Sequence, residues 1–326
     1  MPAHRRPAVG TRLFARTIHG LEHVAAGELR DQGCTVHTVT PRQLVLTAPA
    51  ALPTPRTVDD LFHLVLVIPD PGATKPDLVA VTRALASAPL GVAPAPVLSV
   101  SASTAGRRGY SRYDVEDAVG AVLAARLGAV YASRRDGGKP PSGAVDWRVT
   151  VDASGVHIGP RGARPPLHRR PWKTASVPGT LHPPVAAAMA RLAGIRPGDV
   201  VVDPCCGAGT LLAEAPDGAF RAGSDRAGVV AARTNAPHLS WFTSDARGLP
   251  YPTGSVDHVL TNPPWDRQVT AHGTFAEFVR EWRRVLRPGG RLTYLGPHDP
   301  PRGWQVVGRH PISLFGRHPV ITICVR

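Results

Sequence analysis

The 326-residue chain lacks the features that mark several other classes of protein. It has no stretch of eighteen apolar residues, so we expect no membrane span. Residues 1–6 are basic, but no apolar run follows them, so no secretory signal is evident. The four cysteines form no Cys-x-x-Cys pair. This gives no support for a metal site and predicts reduced thiols in a cytoplasmic protein. We separately expect the protein to be a monomer.

Lysine is nearly absent: only three of the 38 basic residues are lysine, and the others are arginine. A GC-rich genome would favour arginine codons over lysine codons. Codon bias does not account, however, for the excess of 38 basic residues over 24 acidic ones, which gives a formal charge of +14. This charge predicts a polyanionic partner, RNA or DNA.

A turn with two glycines follows the apolar run at residues 200–202, which is typical of a short buried strand. The turn reads Asp203-Pro-Cys-Cys-Gly-Ala-Gly-Thr210, and its glycines would let the backbone approach a ligand that a Cβ would exclude. The third glycine of a dinucleotide fingerprint is missing. A tight turn without a ligand is the alternative for this motif alone. The residues expected to face a cofactor here are Asp203, Cys205, Gly207 and Gly209.

A second turn, Asn262-Pro-Pro-Trp265, follows another apolar strand at residues 256–260. It offers a side-chain amide, the carbonyls of Pro263 and Pro264, and a flat aromatic face, which together suit a planar amine. A polyproline turn is the alternative for this motif alone. In this order, the two turns resemble S-adenosylmethionine-dependent methyltransferases that modify exocyclic amino groups of nucleobases. The resemblance assigns catalysis to Asn262, Pro263, Pro264 and Trp265; Asp266 fits a solvated turn acid better than a catalytic one.

Two more acids lie at the ends of predicted strands. Asp225 follows Asp203 by 22 residues, the spacing typical of an acid that binds ribose hydroxyls. Asp245 could accept a hydrogen bond from an adenine amino group. Exposed strand-end acids without a ligand are the alternative for each. Cys205 and Cys206 suggest nucleophilic chemistry on cytosine, but they lie in the cofactor turn and not beside the substrate motif.

The order of predicted elements indicates a doubly wound α/β domain over residues 176–326. It would end in an antiparallel hairpin of residues 312–315 and 320–325. Residues 1–55 are typical of a strand, a helix and two further strands. Residues 56–160 indicate a small α/β or α+β module, in which residues 58–68 fit either a helix or a strand. Residues 161–175 form a basic, proline-rich linker.

Two basic clusters precede the α/β domain, one in a predicted loop and one in the linker. The linker cluster adds an aromatic ring to its charges, a combination that suits nucleic acid through stacking and phosphate contact. A solvated loop is the alternative. The residues expected to contact RNA are Arg107, Arg108, Arg112, Arg169, Arg170, Trp172 and Lys173.

The whole pattern is similar to the THUMP-domain methyltransferases that make N2-methylguanosine in RNA. The matching stretches are residues 20–29, 167–170, 203–210 and 262–265. The resemblance implies a Rossmann-like class I methyltransferase domain preceded by a ferredoxin-like segment and a THUMP module. It also implies that the N-terminal half grips RNA, that Asp225 and Asp245 bind S-adenosylmethionine, and that the Asn262 motif holds the guanine. The family often has tyrosine or phenylalanine where Trp265 stands and glycine where Asp266 stands.

These observations predict a methyltransferase that acts on guanine N2 of tRNA. Guanine N2 of ribosomal RNA and adenine N6 of a nucleic acid are alternatives within the same chemistry. A catalytically inactive RNA-binding protein and a small-molecule methyltransferase are alternatives from other classes. The basic N-terminal half of about 160 residues argues against the small-molecule enzyme.

Overall fold

The computed structural model describes residues 10–91, 95–162, 164–265 and 273–326. Three β-sheets follow one another along this part of the chain. Each packs against apolar side chains, and Ile18 and Leu21, which follow the first strand, share a core with the third sheet. Within the described residues, no helix has the length and apolarity needed to cross a membrane.

The first sheet has four antiparallel strands and one helix. Buried Leu29 and Ala25 of the helix share a core with Leu44 and Leu46 of the sheet. The last strand extends this sheet beyond the boundary expected at residue 55, because residues 60–63 pair with residues 13–16. The elements are β1 (Thr11–Arg16), α1 (Glu22–Asp31), β2 (Thr35–Thr40), β3 (Gln43–Ala48) and β4 (Asp60–His63), in the sheet order β2-β3-β1-β4.

The second sheet has five strands and carries two helices. The mixed signal at residues 58–68 resolves into two strands that belong to different sheets. The second helix begins at Ser111, whose hydroxyl accepts a hydrogen bond from the Asp114 backbone N–H while Asp114 accepts one from the Ser111 N–H. The elements are β5 (Leu66–Ile68), α2 (Leu78–Ser87), β6 (Val97–Thr104), α3 (Arg112–Leu127), β7 (Val130–Tyr131), β8 (Val145–Asp152) and β9 (Gly155–Pro160), in the order β5-β9-β8-β6-β7.

The third sheet has seven strands and forms the predicted doubly wound α/β domain. Its first five strands are parallel to one another. The next strand in the sheet is antiparallel to them, and the last strand is antiparallel to that one. The elements are α4 (Pro183–Ala193), β10 (Val200–Asp203), α5 (Thr210–Glu214), β11 (Phe220–Asp225), α6 (Val230–Asn235), β12 (Ser240–Thr243), β13 (Val256–Thr261), α7 (Phe275–Val285), β14 (Leu286–Gly296), β15 (Gln305–Pro311) and β16 (Val320–Val325), in the order β12-β11-β10-β13-β14-β16-β15.

The terminal hairpin exists, but its predicted first strand at residues 312–315 is wrong. The strand that pairs with β16 is β15 at residues 305–311. Ile312 and Leu314 produced the strand signal because both are buried apolar residues. β15 gave none because its side chains are mostly exposed and a bulge lies between Val306 and Gly308.

A buried carboxylate joins the first module and the linker to the α/β domain. Glu214, at the end of α5, has a fully buried side chain. Its oxygens accept hydrogen bonds from Arg56 Nε at 2.8 Å and from Arg170 Nε at 2.6 Å. Because a buried charge is tolerated only when it is paired, this triad fixes the three segments against one another.

Candidate active site

The parallel strands β10, β11 and β13 bring three predicted site residues to one edge of the third sheet. Asp203 and Asp225 are the last residues of β10 and β11, and Asn262 directly follows β13. The three strands are neighbours in the sheet, and adjacent strands lie roughly 4.8 Å apart. This edge, called the carboxyl edge below, is where doubly wound sheets bind ligands.

Asp203 is buried within the site, with 1% of its surface exposed. Its Oδ1 accepts hydrogen bonds from the Cys205 backbone N–H at 3.1 Å and from Thr261 Oγ1 at 2.8 Å. Burial raises the pKa of Asp203 to about 7, and the nearby Asp225 adds to this rise. Thr261 was not identified from the sequence; its only signal is its place as the last residue of the strand before Asn262.

The predicted glycine turn has the conformation that requires glycine. Gly207 and Gly209 have φ angles of 49° and 76°. Asp225 stabilises the turn, because its Oδ2 accepts a hydrogen bond from the Gly207 N–H at 2.9 Å. At Gly209 an added Cβ would lie 2.7 Å from the ring of Trp241. The space beside Gly209 is therefore filled by a buried tryptophan that the sequence analysis missed.

Asn235 is a second side chain that the sequence analysis missed. It is buried at the end of α6, and its Nδ2 donates to the carbonyls of Ala175 and Ala208, at 2.9 Å each. Its Oδ1 accepts from the backbone N–H groups of Thr174 and Ala175. Asn235 thus attaches the end of the linker to the glycine turn.

Cys205 and Cys206 lie in the turn as protonated thiols. Burial raises the pKa of both, and the carboxylates of Asp203 and Asp225 raise them further. Because the thiolate is the nucleophilic form, this environment disfavours nucleophilic catalysis by either cysteine.

Asp245 follows β12 and is held by a charged neighbour. Its two oxygens accept hydrogen bonds from Arg247 Nε at 3.0 Å and from Arg247 Nη2 at 2.8 Å. The Arg247 guanidinium lowers the pKa of Asp245 to about 2. If the adenine amino group of a ligand donated a hydrogen bond to Asp245, the Asp245 carboxylate would accept from adenine and from Arg247 together. Asp245 lines an open cavity of about 460 Å³ with Arg247, Gly248, Glu277, Arg280 and Glu281.

The Asn262 motif forms a compact turn beside these acids. Trp265 Nε1 donates a hydrogen bond to Asn262 Oδ1 at 2.9 Å. The Trp265 ring packs beside Gly296, where an added Cβ would lie 3.4 Å from it. Pro263 is buried, whereas Pro264 and Trp265 are half-buried. Asp266 lies outside the described residues.

The basic loop before α3 contains two kinds of arginine. Arg108 is an internal side chain, 9% exposed, whose Nη1 and Nη2 donate to the two oxygens of Asp70 at 2.7 and 2.8 Å. Arg107 and Arg112 are exposed, and the Arg112 guanidinium lies 4.6 Å from the centre of the Tyr113 ring. Arg107 and Arg112 therefore present their charge to solvent, whereas Arg108 is engaged within the module.

The linker shows the same division. Arg170 is the internal arginine that pairs with Glu214, and its side chain is 9% exposed. Lys173 Nζ donates to the Leu181 carbonyl at 3.1 Å, and burial lowers the pKa of Lys173. Trp172 is half-buried. Of the four predicted linker contacts, Arg169 alone is exposed.

The described residues contain no group of three or more His, Cys, Asp or Glu side chains that could hold a metal ion.

Comparison with known proteins places the glycine turn and the Asn262 motif in one family. Residues 170–301 match the UPF0020 family, described as an RMKL-like methyltransferase domain. The chain is 33% identical over 211 residues to the tRNA (guanine(6)-N2)-methyltransferase of Thermus thermophilus, an alignment that covers 60% of this chain and 61% of the relative. It is 32% identical to the U6 snRNA (guanine-N(2))-methyltransferase THUMPD2 of Mus musculus, over 47% of this chain and 31% of the relative.

The chain thus aligns with less than two thirds of each of these relatives. Its fold, in contrast, matches over nearly its whole length. The crystal structure of TrmN from Thermus thermophilus superposes with a TM-score of 0.75 at 25% identity, covering 97% of this chain and 99% of that one. The Rossmann-like fold predicted from the sequence is confirmed. Residues 170–301 thus match the RMKL-like methyltransferase domain of the UPF0020 family, and the whole chain has the fold of TrmN.

Proposed function

We propose that this protein transfers a methyl group from S-adenosylmethionine to the exocyclic N2 amine of a guanosine in tRNA. The observation that carries the proposal is the Asn262–Trp265 turn, which lies beside Asp203 and Asp225 at the carboxyl edge. The relative from Thermus thermophilus, named for guanine N2 of tRNA, supports the choice of base and RNA.

The residues of the carboxyl edge fit the cofactor. Asp225 is half-buried at a strand end and offers carboxylate oxygens to a ribose diol, while it also holds the Gly207 N–H. The turn from Cys205 to Gly209 offers backbone groups to the amino-acid part. Asp203 holds this turn through Cys205 and Thr261. S-adenosylmethionine supplies a methyl group that is already activated on a sulfonium.

The Asn262 motif addresses the weak nucleophilicity of the target nitrogen. The lone pair of an exocyclic guanine amine is delocalised into the ring. Asn262 Oδ1 and the Pro263 carbonyl accept the two amine hydrogens, which draws the lone pair out of conjugation and aims it at the methyl group. An amide oxygen has two lone pairs, so Asn262 Oδ1 accepts from Trp265 and from the guanine together. The proton leaves the nitrogen after transfer, so no strong general base is required.

Trp265 holds the plane of the base by stacking on it. A guanosine within a helix must first be flipped out, at a cost on the order of a few kcal/mol. Stacking against an aromatic ring and hydrogen bonds to the base offset this cost. The half-buried ring of Trp265, supported by Gly296, is suited to this role.

The N-terminal modules and the linker bind the RNA. The exposed arginines Arg107, Arg112 and Arg169 are the proposed phosphate contacts, because their charge faces solvent. Arg108 stabilises the basic loop, and Arg170 and Lys173 stabilise the linker, through hydrogen bonds within the protein. The relative that acts on U6 snRNA favours a second candidate, the same reaction on a different RNA.

The substrate class is tested by label transfer from S-adenosylmethionine to separate pools of unmodified tRNA, ribosomal RNA, U6 snRNA and DNA. We expect label in tRNA. Label in U6 snRNA alone would show that U6 snRNA, and not tRNA, is the substrate of the same methyl transfer. Label in DNA alone, or in no polymer while the cofactor still binds, would contradict the proposal.

A further inference from the structure

Phe315 combines two features that a structural side chain rarely has. It is 81% exposed, and its φ is +50°. Among the described non-glycine residues, it shares a positive φ only with Arg42. A bulky residue keeps this conformation only where the surrounding structure imposes it, and such positions concentrate at functional sites.

The turn around Phe315 is held firmly on both sides. Leu314 and Arg317 exchange backbone hydrogen bonds of 2.9 and 3.0 Å across it. The Ser313 N–H donates to the His19 carbonyl at 3.0 Å, and Arg42 Nη2 donates to Ser313 Oγ at 3.0 Å. The turn therefore connects the α/β domain to the first module, and Phe315 projects from it into solvent.

This turn lies at the same edge of the sheet as the active site. β16 begins at Val320, which pairs with Gly296 at the end of β14. The residues just before Val320 therefore lie beyond the carboxyl edge. The ring of Trp265 packs beside this same Gly296. The Phe315 turn and the Trp265 ring therefore lie at the same edge of the sheet.

The surroundings of Phe315 leave its ring available for stacking. Within the described part of the chain, its one aromatic neighbour is His182, whose ring meets it edge-on with the ring centres 5.7 Å apart and an interplanar angle of 75°. His182 is itself fixed by Asp59, with Nε2 and Oδ1 2.7 Å apart. Gly316 follows Phe315 directly, and Arg317 and His318 come next in the chain. An exposed aromatic face suits stacking by a nucleobase.

We propose that Phe315 is a stacking platform for a nucleobase next to the target guanosine. This inference rests on the proposed function, because it takes RNA as the substrate. Stacking on Phe315 would hold the neighbouring nucleotide while the guanosine stacks on Trp265. Such a contact tolerates any base, since every base has a π-face.

Binding of an unmodified tRNA transcript pool by Phe315 variants tests the proposal. F315A and F315L remove the flat face, and we expect each to raise the dissociation constant about tenfold. F315W restores the face and should bind like the wild type. Phe220, 71% exposed at the start of β11 and thus at the opposite edge of the sheet, supplies the matched control F220A, which should not change binding.

Equal tRNA affinity of F315A, F315L and the wild type would overturn the platform. S-adenosylmethionine affinity is measured in parallel, and if F315A fails to fold, the contrast between F315L and F315W decides. Methyl transfer by the wild type to the same pool is scored separately. Absence of transfer would refute the proposed function, while the affinity series would still decide the role of Phe315.

Discussion

The indole Nε1 of Trp265 donates a hydrogen bond to Oδ1 of Asn262 at 2.9 Å. This contact fixes which way the Asn262 amide points, because an amide can otherwise flip its oxygen and nitrogen. In the proposed mechanism, this is the oxygen that receives the amine of the target base. Tyrosine and phenylalanine, which are common at this position in the family that the sequence resembles, have no indole N–H with which to make this bond.

Replacing Trp265 separates its two roles. W265F keeps an aromatic face but loses the N–H donor, so we expect kcat to fall about threefold to tenfold, the range set by one hydrogen bond. W265A loses stacking as well and should lose considerably more. Neither change should alter the dissociation constant of S-adenosylmethionine. Steady-state kinetics with RNA measure kcat, and calorimetry measures the dissociation constant of the cofactor. An unchanged kcat in W265F would show that Asn262 is oriented without Trp265.

Asp225 is expected to control cofactor binding. D225A removes the carboxylate offered to the ribose and the acceptor of the Gly207 N–H, so the dissociation constant of S-adenosylmethionine should rise at least tenfold. The matched control is D217A, because Asp217 is 98% exposed and pairs only with Arg221 among its described contacts. Calorimetry on both variants provides the test. Normal cofactor affinity in D225A would remove Asp225 from the binding site.

Asp203 should make the stability of the cofactor-free protein fall as pH rises. Burial raises its pKa to about 7, so folding favours the protonated acid. The stabilisation is complete below the ordinary carboxyl pKa of about 4 and is lost as pH rises through 7, with a slope of about 1.4 kcal/mol per pH unit in between. D203N is neutral at every pH and should lack this slope. Denaturant unfolding from pH 5 to 8 measures the difference; parallel curves for D203N and the wild type would contradict it.

Two adjacent linker arginines should have opposite phenotypes. Arg169 is exposed, so R169A should weaken RNA binding and reduce the log–log salt slope by about 0.7 to 0.9. Arg170 is paired with buried Glu214, so R170A should lower the free energy of unfolding on the order of 3 kcal/mol. RNA titrations at several salt concentrations and thermal unfolding measure the pair. A salt slope unchanged in R169A would remove it from the RNA interface.

Most of the α/β domain could be predicted because its signals are local. The apolar runs of β10 and β13 and the helix at residues 183–193 are evident in the sequence. Because the strands are parallel, their carboxyl ends lie at the same edge of the sheet. β15 could not be found this way, since an exposed, bulged edge strand has no apolar alternation. The first sheet extends past residue 55 because β4 pairs with β1 through contacts distant in sequence.

The candidate site divides in the same way. The placement of Asp203, Asp225 and Asn262 at the carboxyl edge could be predicted because each ends or follows an apolar strand. Trp241 and Asn235 could not, since their roles depend on contacts with the glycine turn that only the folded chain creates. The basic residues show the limit of reading charge from a sequence: exposed Arg169 and internal Arg170 are neighbours in the chain, yet they face different surroundings.

The most direct test of guanine-N2 transfer is the identity of the methylated nucleoside. Wild-type protein and N262A are incubated with S-adenosylmethionine and unmodified tRNA, and the digested RNA is analysed by mass spectrometry. We expect N2-methylguanosine from the wild type, and at least a hundredfold slower formation by N262A at unchanged cofactor affinity. N6-methyladenosine as the product, or N262A as active as the wild type, would contradict the assignment of the Asn262 motif to guanine.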